Sequence, residues 1–234
     1  NVNTTGFKRD RAQFETLAYQ QVVQKGAAAD QQNKFATGLS LGTGVAVAGT
    51  ARIDTQGSLQ TTGNSMDIAI QGSGYFQVQM PDGSTAYTRA GDFSITAEGA
   101  MVTSEGLPLQ PQIQVPQGAT AITIGADGTV SATLAGQAEP SELGRIEISN
   151  FINSAGLESI GNNLLKETAA SGAPITGAAG EEGRGVLRQG MLEGSNVNIV
   201  EELVDMIETQ RAYEVNSKMI KATDEMLQFA NQQL

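Results

Sequence analysis

The chain contains no cysteine, no histidine and no tryptophan, and aromatic residues make up only 5% of its 234 residues. Without cysteine it can form neither a disulfide nor a thiolate metal site. Without histidine it has no imidazole base and no Ser-His-Asp triad. These absences exclude most common enzyme chemistries and leave catalysis by paired carboxylates as the main one still open.

Long apolar runs are also missing. Because no stretch of about 18 apolar residues occurs, we predict no transmembrane helix and no membrane insertion. No charged-then-apolar signal peptide opens the chain. The first residue is Asn rather than Met, so we expect an N-terminal piece to precede it.

Charge is distributed unevenly along the chain. The net charge is −11, yet residues 1–52 carry six basic and three acidic side chains, so the acidic excess lies entirely in residues 53–234. Such a chain predicts no nucleic-acid partner. The basic segment could attract the acidic remainder, within a subunit or between subunits, or the charges could simply keep the surface soluble.

The C-terminal segment has neither glycine nor proline from Asn198 onward and predicts one long helix. Asn198 is a good N-cap, and Glu201 completes a capping-box pattern. An apolar residue recurs at every seventh position, namely Ile199, Met206, Tyr213, Ile220, Leu227 and Leu234. A strict seven-residue repeat over about 54 Å is typical of a helix supercoiled against partners.

The companion positions of this repeat are mostly polar. Leu203 is apolar, but the equivalent residues further along are Gln210, Ser217, Asp224 and Asn231. A two-stranded coil with that seam would be weak, so we predict packing among many helices. The alternative is one long amphipathic helix folded onto its own domain.

The remainder of the chain is rich in glycine and reads as β-structure. Apolar residues alternate with polar ones from Met66, and turns follow about every ten residues, including Pro81-Asp82-Gly83 and Asp127-Gly128. This pattern predicts a compact antiparallel sandwich or barrel-like domain. The fold class is therefore α+β, with the β-domain inserted into a coiled-coil-like module that both chain ends form.

This interpretation divides the chain into four parts. They are a terminal helical module of residues 1–8 and 196–234, an extended or β-hairpin stretch of residues 9–64 with a long loop at 19–45, the β-domain at 65–167, and a linker at 168–195.

No motif predicts a catalytic, cofactor or metal site. Gly72-Ser73-Gly74 lacks the third glycine of a dinucleotide fingerprint and is better explained as a tight strand connection. Asp67, Asp82 and Asp92 are the carboxylates that come closest to a pair, and Asp82 is better explained as a turn residue.

Two groups of residues carry a family resemblance. Near the N-terminus they are Asn3, Thr5, Gly6, Phe7 and Lys8, and near the C-terminus Ser195, Asn196, Gln210, Arg211, Glu214 and Asn216. Together with Met66 to Phe76 and Tyr87 to Phe93, these motifs resemble the bacterial flagellar rod and hook proteins, over nearly the whole chain.

The resemblance implies a structural subunit that stacks helically into a hollow drive shaft across the periplasm and carries torque from motor to hook. The stretch 19–45 resembles the distal rod members of the family more than the proximal ones. We expect this stretch to stiffen the shaft, and its marked residues are Tyr19, Gly26, Gly38, Gly42 and Gly44.

The expected partners are further copies of the chain, proximal rod proteins, the hook protein, the surrounding P and L ring proteins and the flagellar type III export apparatus. Within the family, the alternatives are a hook or a proximal rod subunit. Outside it they are a coil-anchored β-domain that acts on polysaccharide, and a phage tail or adhesin component.

Overall fold

The computed structural model describes residues 1–23, 37–136 and 139–232, which are mostly β-structure followed by one long helix. The strands are β1 (Asp10–Thr16), β2 (Tyr19–Val23), β3 (Leu39–Gly42), β4 (Val45–Arg52), β5 (Leu59–Thr61), β6 (Ile68–Gln71), β7 (Tyr75–Gln79), β8 (Thr85–Thr88), β9 (Phe93–Ile95), β10 (Met101–Thr103), β11 (Leu109–Gln110), β12 (Ala119–Ile124), β13 (Thr129–Leu134), β14 (Ser141–Arg145), β15 (Glu147–Asn150), β16 (Glu158–Gly161), β17 (Leu164–Lys166), β18 (Ile175–Ala178), β19 (Val186–Gln189) and β20 (Met191–Glu193). A 3-10 turn spans Ser154–Gly156, and the helix α1 spans Ile199–Gln232.

The first four strands form a long two-stranded ribbon. β1 pairs with β4 and β2 pairs with β3, both antiparallel. The register is continuous, because Thr16 faces Val45 and, three residues further along each strand, Tyr19 faces Gly42. The Leu17 N–H donates to the carbonyl of Gly44 at 3.0 Å and bridges the break between the two pairs. We call residues 10–23 and 39–52 the ribbon.

The β-domain is built on a seven-stranded sheet. Its strands lie in the order β16-β17-β8-β7-β15-β18, with β11 paired to β7. The hairpin β9-β10 and the three-stranded sheet β12-β13-β14 complete the domain. The main core cluster holds large apolar side chains from most of these strands, including Ile68, Phe76, Met101, Ile113 and Ile148. The predicted antiparallel β-domain is therefore present.

Turn chemistry fixes the hairpins as the sequence predicts. At Pro81-Asp82-Gly83 the Asp82 carboxylate accepts from the Ser84 N–H at 2.9 Å, and Gly83 has a φ of 85°. The Ser84 hydroxyl donates to the same carboxylate, and the two hydrogen bonds from Ser84 lower the pKa of Asp82. Asp127 repeats the arrangement with Thr129. Such Asx turns set the register of the strands that they join.

The segment predicted as a linker, residues 168–195, contributes strands to the β-domain instead. β18 pairs with β15 at the edge of the seven-stranded sheet, β19 pairs with β6, and β20 pairs with β5. The physical reason is pairing with residues distant in sequence, which a short strand such as Ile175–Ala178 does not announce by alternation. Residues 1–8, grouped above with the terminal helix, form turns rather than a helix.

Helix α1 begins where the capping pattern places it. The Asn198 Oδ1 accepts from the Val200 N–H at 3.1 Å, which satisfies one of the free donors at the helix start. From Ile199 to Phe229 every side chain is exposed except that of Ser217, which is half-buried. The helix is therefore not folded onto its own β-domain. Within the described chain, no helix is long and apolar enough to cross a membrane.

Candidate functional site

A buried cluster of charges joins the residues around the start of α1 to both the N-terminal segment and the β-domain. We call residues 193–202, which lead into the helix and form its first turn, the root of α1. The Glu193 carboxylate is fully buried and accepts from Lys8 Nζ at 2.5 Å and from Arg89 Nη1 at 2.9 Å. Its Oε1 also accepts from the Gly57 N–H at 2.9 Å. Lys8 donates further to the carbonyl of Thr55 at 2.8 Å. We call this cluster, with Asn196, the junction.

The environment of the junction shifts two pKa values. Burial lowers the pKa of Lys8, and the Arg89 charge acts in the same direction, whereas Glu193 opposes them. Arg89 lies over the ring of Tyr75, with its Cζ 5.5 Å from the ring centroid. Burial, with the negative charge of Asp54, raises the pKa of Tyr75 to about 12. These groups bind one another and hold the chain segments together.

Asn196 ties three chain segments together through its side-chain amide and backbone. Its Oδ1 accepts from the Arg9 N–H at 2.8 Å, and its Nδ2 donates to the carbonyl of Ile53 at 2.7 Å. Its backbone N–H donates to the carbonyl of Phe7 at 3.3 Å. Asn196 therefore fixes the start of the ribbon, its return strand and the root of α1 relative to one another.

Gly6 lets the N-terminal segment approach the β-domain closely. Its N–H donates to the carbonyl of Glu193 at 2.8 Å, and its φ is +68°. A Cβ at this position would lie 2.6 Å from the backbone carbon of Arg89. The neighbouring carbonyl of Thr5 accepts from Asn163 Nδ2 at 3.1 Å. Both the backbone conformation and the space therefore require glycine here.

The family-motif residues thus fall into two places. The structure brings Thr5, Gly6, Phe7, Lys8 and Asn196 together at the junction, and the Ser195 Oγ accepts from the Val197 N–H at 3.1 Å beside it. Asn3 is exposed nearby. Gln210, Arg211, Glu214 and Asn216 lie further along α1, where they are exposed and remote from the junction.

The candidate assembly residues form an apolar surface that stands in solvent. Their side chains are between 50% and 80% exposed: Ile199 52%, Leu203 52%, Met206 55%, Tyr213 76%, Ile220 63% and Leu227 60%. Leu234 lies outside the described residues. Exposed apolar surface on this scale marks an interaction site in a folded protein.

The residues assigned to stiffness lie on the ribbon or beside it. Tyr19 is exposed in β2, and its ring lies against Gly42, where a Cβ would be 3.3 Å from the ring. Gly44 lies in the short break between β3 and β4, and Gly38 immediately precedes β3. Gly26 lies outside the described residues.

Sequence reasoning missed the roles of Glu193 and Arg89. Arg89 falls within a stretch that carries the family resemblance and Glu193 lies two residues before one, but nothing local distinguishes a buried charge from a solvated one. Their partners lie 185 and 104 residues away in the chain, from Lys8 to Glu193 and from Arg89 to Glu193. Only the fold reveals that these charges neutralise one another.

Two of the three carboxylates considered for catalysis, those of Asp67 and Asp82, accept structural hydrogen bonds. Asp67 and Asp92 face each other in an isolated β-bridge, but the Asp67 carboxylate accepts from Thr62 Oγ1 at 2.5 Å and from Asn64 Nδ2 at 3.0 Å. Asp82 belongs to its turn. Among the residues described, no group of carboxylates is arranged to hold a metal ion.

Comparison with known proteins agrees with this arrangement. Residues 69–132 match the model of the "Flagellar hook protein FlgE/F/G D1 domain", and residues 188–233 match the "Flagellar basal body rod FlgEFG protein C-terminal" model.

Three relatives illustrate the extent of the similarity, each named flagellar basal-body rod protein FlgG. The protein of Buchnera aphidicola subsp. Acyrthosiphon pisum is 51% identical over 99% of this chain and 89% of its own length. That of Borreliella burgdorferi is 50% identical over 99% of this chain and 88% of its own length. That of Bacillus subtilis is 38% identical over 97% and 87%. The chain therefore belongs to the family of flagellar basal-body rod proteins, which are structural subunits of the flagellar rod and not enzymes.

Proposed function

We propose that the chain is a subunit of the distal rod, which assembles helically into a hollow, rigid shaft across the periplasm and transmits torque from motor to hook. One observation carries this proposal: α1 exposes every apolar side chain that the structure describes on it. Most helix stability in proteins comes from packing. A helix with such a surface therefore requires partners, and a polymer of identical subunits supplies them.

We further propose a coiled-coil-like module built from both chain ends. The junction supports this idea, because it holds residues 5–9 against the root of α1. In the polymer, Ile199, Leu203, Met206, Tyr213, Ile220, Leu227 and Leu234 would contact helices of neighbouring copies. The polar companions Gln210, Ser217, Asp224 and Asn231 favour packing among many helices over a two-stranded coil.

Electron microscopy of the concentrated protein tests self-assembly directly. We expect straight helical tubes. Curved or bending tubes would favour a hook-like subunit, and a protein that remains monomeric at every concentration would contradict the proposal.

The ribbon is the proposed source of stiffness. Its apolar side chains are exposed, with Phe14 at 67% and Val47 at 63%, and the register places these two directly opposite each other on one face. Thr16 and Val45 lie on that same face, since side chains alternate along a strand. A two-stranded ribbon is marginally stable alone, so neighbouring subunits would order it and thereby resist sliding.

Deleting residues 22–41, which removes most of the β2-β3 pair and leaves the β1-β4 pair in place, tests how much of this role belongs to the stretch 19–45. Assembly should persist, because α1 and the junction are untouched, but isolated rods should become curved or compliant in electron micrographs. The matched control keeps the full length of the chain and replaces Gln20 and Gln21 by Ser. Straight rods from the deletion variant would assign rigidity to the packed terminal helices instead.

The proposed partners follow from family membership. We propose contacts with proximal rod proteins at one end, with the hook protein at the other, with P and L ring proteins around the shaft, and with the flagellar type III export apparatus before assembly. Cross-linking in cells through cysteines introduced into the ribbon, followed by identification of the linked proteins, tests each contact. Failure to capture any rod or hook protein would contradict the assigned location.

A further inference from the structure

The charges of α1 form three blocks of alternating sign. Residues 199–208 carry four carboxylates and no basic side chain, from Glu201, Glu202, Asp205 and Glu208. Residues 209–222 carry Arg211, Lys218 and Lys221 against the single acid Glu214. Residues 223–232 carry Asp224 and Glu225 and no base. The blocks are therefore acidic, basic and acidic.

These charges are open to solvent and are not paired along the helix. Every charged side chain of α1 is exposed. Within the described chain, the ion pairs that involve α1 are those of Arg9 with Glu202 at 3.0 Å and with Glu201 at 3.8 Å, both at the helix root. Asp205, Glu208 and the three bases of the middle block are thus available to a partner.

The order of the blocks restricts how two copies of α1 can pack side by side. Two parallel helices in register would place acid on acid, base on base and acid on acid. A shift of about 12 residues, or about 18 Å at 1.5 Å per residue, instead places the first acidic block of one copy beside the basic block of the next. The same shift places the basic block of the first copy beside the last acidic block of the second.

The complementary charges also lie on different faces of α1. At 3.6 residues per turn, the mean direction of Asp205 and Glu208 is roughly 100° around the helix from the mean direction of Arg211 and Lys218. One copy can therefore present its acidic face to one neighbour and its basic face to another. A contact between two different faces propagates from copy to copy rather than closing as a pair.

We propose that neighbouring copies of this chain pack their α1 helices in parallel with an axial stagger of about 18 Å. The occupant of the charged faces is thus a second copy of the same chain, and the stagger is set by attraction between opposite blocks and repulsion between like ones. This inference rests on the proposed self-assembly. It adds the register and direction of the contact.

Charge reversal tests the stagger. One variant carries Asp205→Lys with Glu208→Lys, and a second carries Arg211→Glu with Lys218→Glu. Each should raise the critical concentration for assembly roughly tenfold or more, because two attractions become repulsions at every contact. Mixing the two variants, or combining all four changes in one chain, should restore assembly in part, since opposite charges then meet again between the first and middle blocks. Recovery should stay incomplete, because the reversed middle block still repels the last acidic block.

The control makes the same change in net charge elsewhere, with Glu98→Lys and Glu142→Lys on the exposed surface of the β-domain. It should assemble like the parent. If both single reversals also assemble like the parent, the stagger is wrong while self-assembly stands. If the parent itself never assembles, the proposed function fails and the stagger fails with it.

Cysteine cross-linking tests which residues of neighbouring helices lie next to each other, without relying on the strength of assembly. The chain has no cysteine of its own, so every disulfide must form between introduced residues. Ala212→Cys lies beside the acidic face and Ala222→Cys beside the basic one. The double variant should form a long ladder of disulfide-linked multimers in assembled rods, and neither single variant should link at all. Dimers from a single variant would indicate helices in register, and a double variant that stops at dimers would indicate antiparallel pairs. Either result would overturn the proposal.

Discussion

The β-domain buries its large apolar side chains, whereas helix α1 exposes side chains of the same types. Ile148 in β15 is fully buried, whereas Ile220 in α1 is 63% exposed. The β-domain buries most of its large apolar side chains in a core, and the buried Glu193 binds the two cations Lys8 and Arg89. The helix leaves both kinds of group in solvent. One part of the chain therefore has a core of its own, whereas the other exposes the apolar surface for which we propose an intersubunit contact.

The largest expected effect comes from placing the same charge in both regions. Ile148→Asp should unfold the β-domain, because burying a carboxylate without a partner costs several kcal/mol. Ile220→Asp should leave the monomer as stable as the parent and abolish assembly, since the charge would enter the seam between helices. Denaturant unfolding and electron microscopy measure the two effects. Normal rods in motile cells that carry Ile220→Asp would contradict the comparison.

Removing the central carboxylate of the junction should be the next most damaging change. Glu193→Gln leaves Lys8 and Arg89 buried without the carboxylate that both of them contact, and breaking a buried ion pair typically costs about 3–5 kcal/mol. The matched control is Arg9→Ala, which breaks an ion pair at the exposed helix root and should cost less than about 1 kcal/mol. Urea unfolding followed through the β-domain compares them. Equal losses would mean that the junction is no more than a surface contact.

A smaller effect should appear at alkaline pH. The pKa of Tyr75 is raised from 10.0 to about 12, so between these values the unfolded chain releases a proton that the native chain keeps. The free energy of unfolding should therefore fall by roughly 2–3 kcal/mol as pH rises from 10 to 12. Lys8 acts in the opposite direction, but only below its ordinary pKa of 10.5.

Tyr75→Phe should remove this loss, and Tyr213→Phe on the exposed helix should not. The measurement is the difference in unfolding free energy between each variant and the parent across that pH range. Identical pH profiles for the parent and Tyr75→Phe would show that burial of the hydroxyl does not couple to folding.

The smallest free energy should be that of opening α1 in the monomer. With its apolar residues exposed and its seam polar, the helix should exchange its amide hydrogens at free energies near zero to about 1 kcal/mol, while β7 and β15 approach the global value. Hydrogen exchange by mass spectrometry resolves the two regions. Strong protection of residues 199–232 in a verified monomer would mean that the helix is stable without partners.

Local patterns in the sequence predicted the elements of this fold well. Alternation predicted β6 to β10, the turn residues Asp82 and Asp127 predicted two hairpins, and Asn198 predicted the helix start. The absence of glycine and proline after Asn198 predicted one long helix, which the structure contains, and the packing of its seven-residue repeat against partners stays a prediction. Each of these signals arises from neighbours in the chain, so each can be read without the fold.

Contacts between distant residues were not predictable in the same way. The pairing of β18 with β15 and of β20 with β5 depends on short strands without alternation, and residues 168–195 were therefore predicted to be a linker. Lys8, Arg89 and Glu193 appear in the sequence as ordinary surface charges. Their burial results from the close approach at Gly6 and the strand pairing around it, which no local pattern encodes.

The junction also determines how mechanical load enters the subunit. Asn196, which lies three residues before α1 begins, binds the backbone of Arg9 next to the start of the ribbon. It also binds the backbone of Ile53 next to the end of the ribbon. A twist applied to the helix therefore reaches the ribbon through a few hydrogen bonds, and it reaches the β-domain through Arg89 and through the paired strands β20, β19 and β18 that precede the helix. The direct hydrogen bonds of Asn196 to both ends of the ribbon give the helix and the ribbon a shorter mechanical connection than the helix has to the seven-stranded sheet.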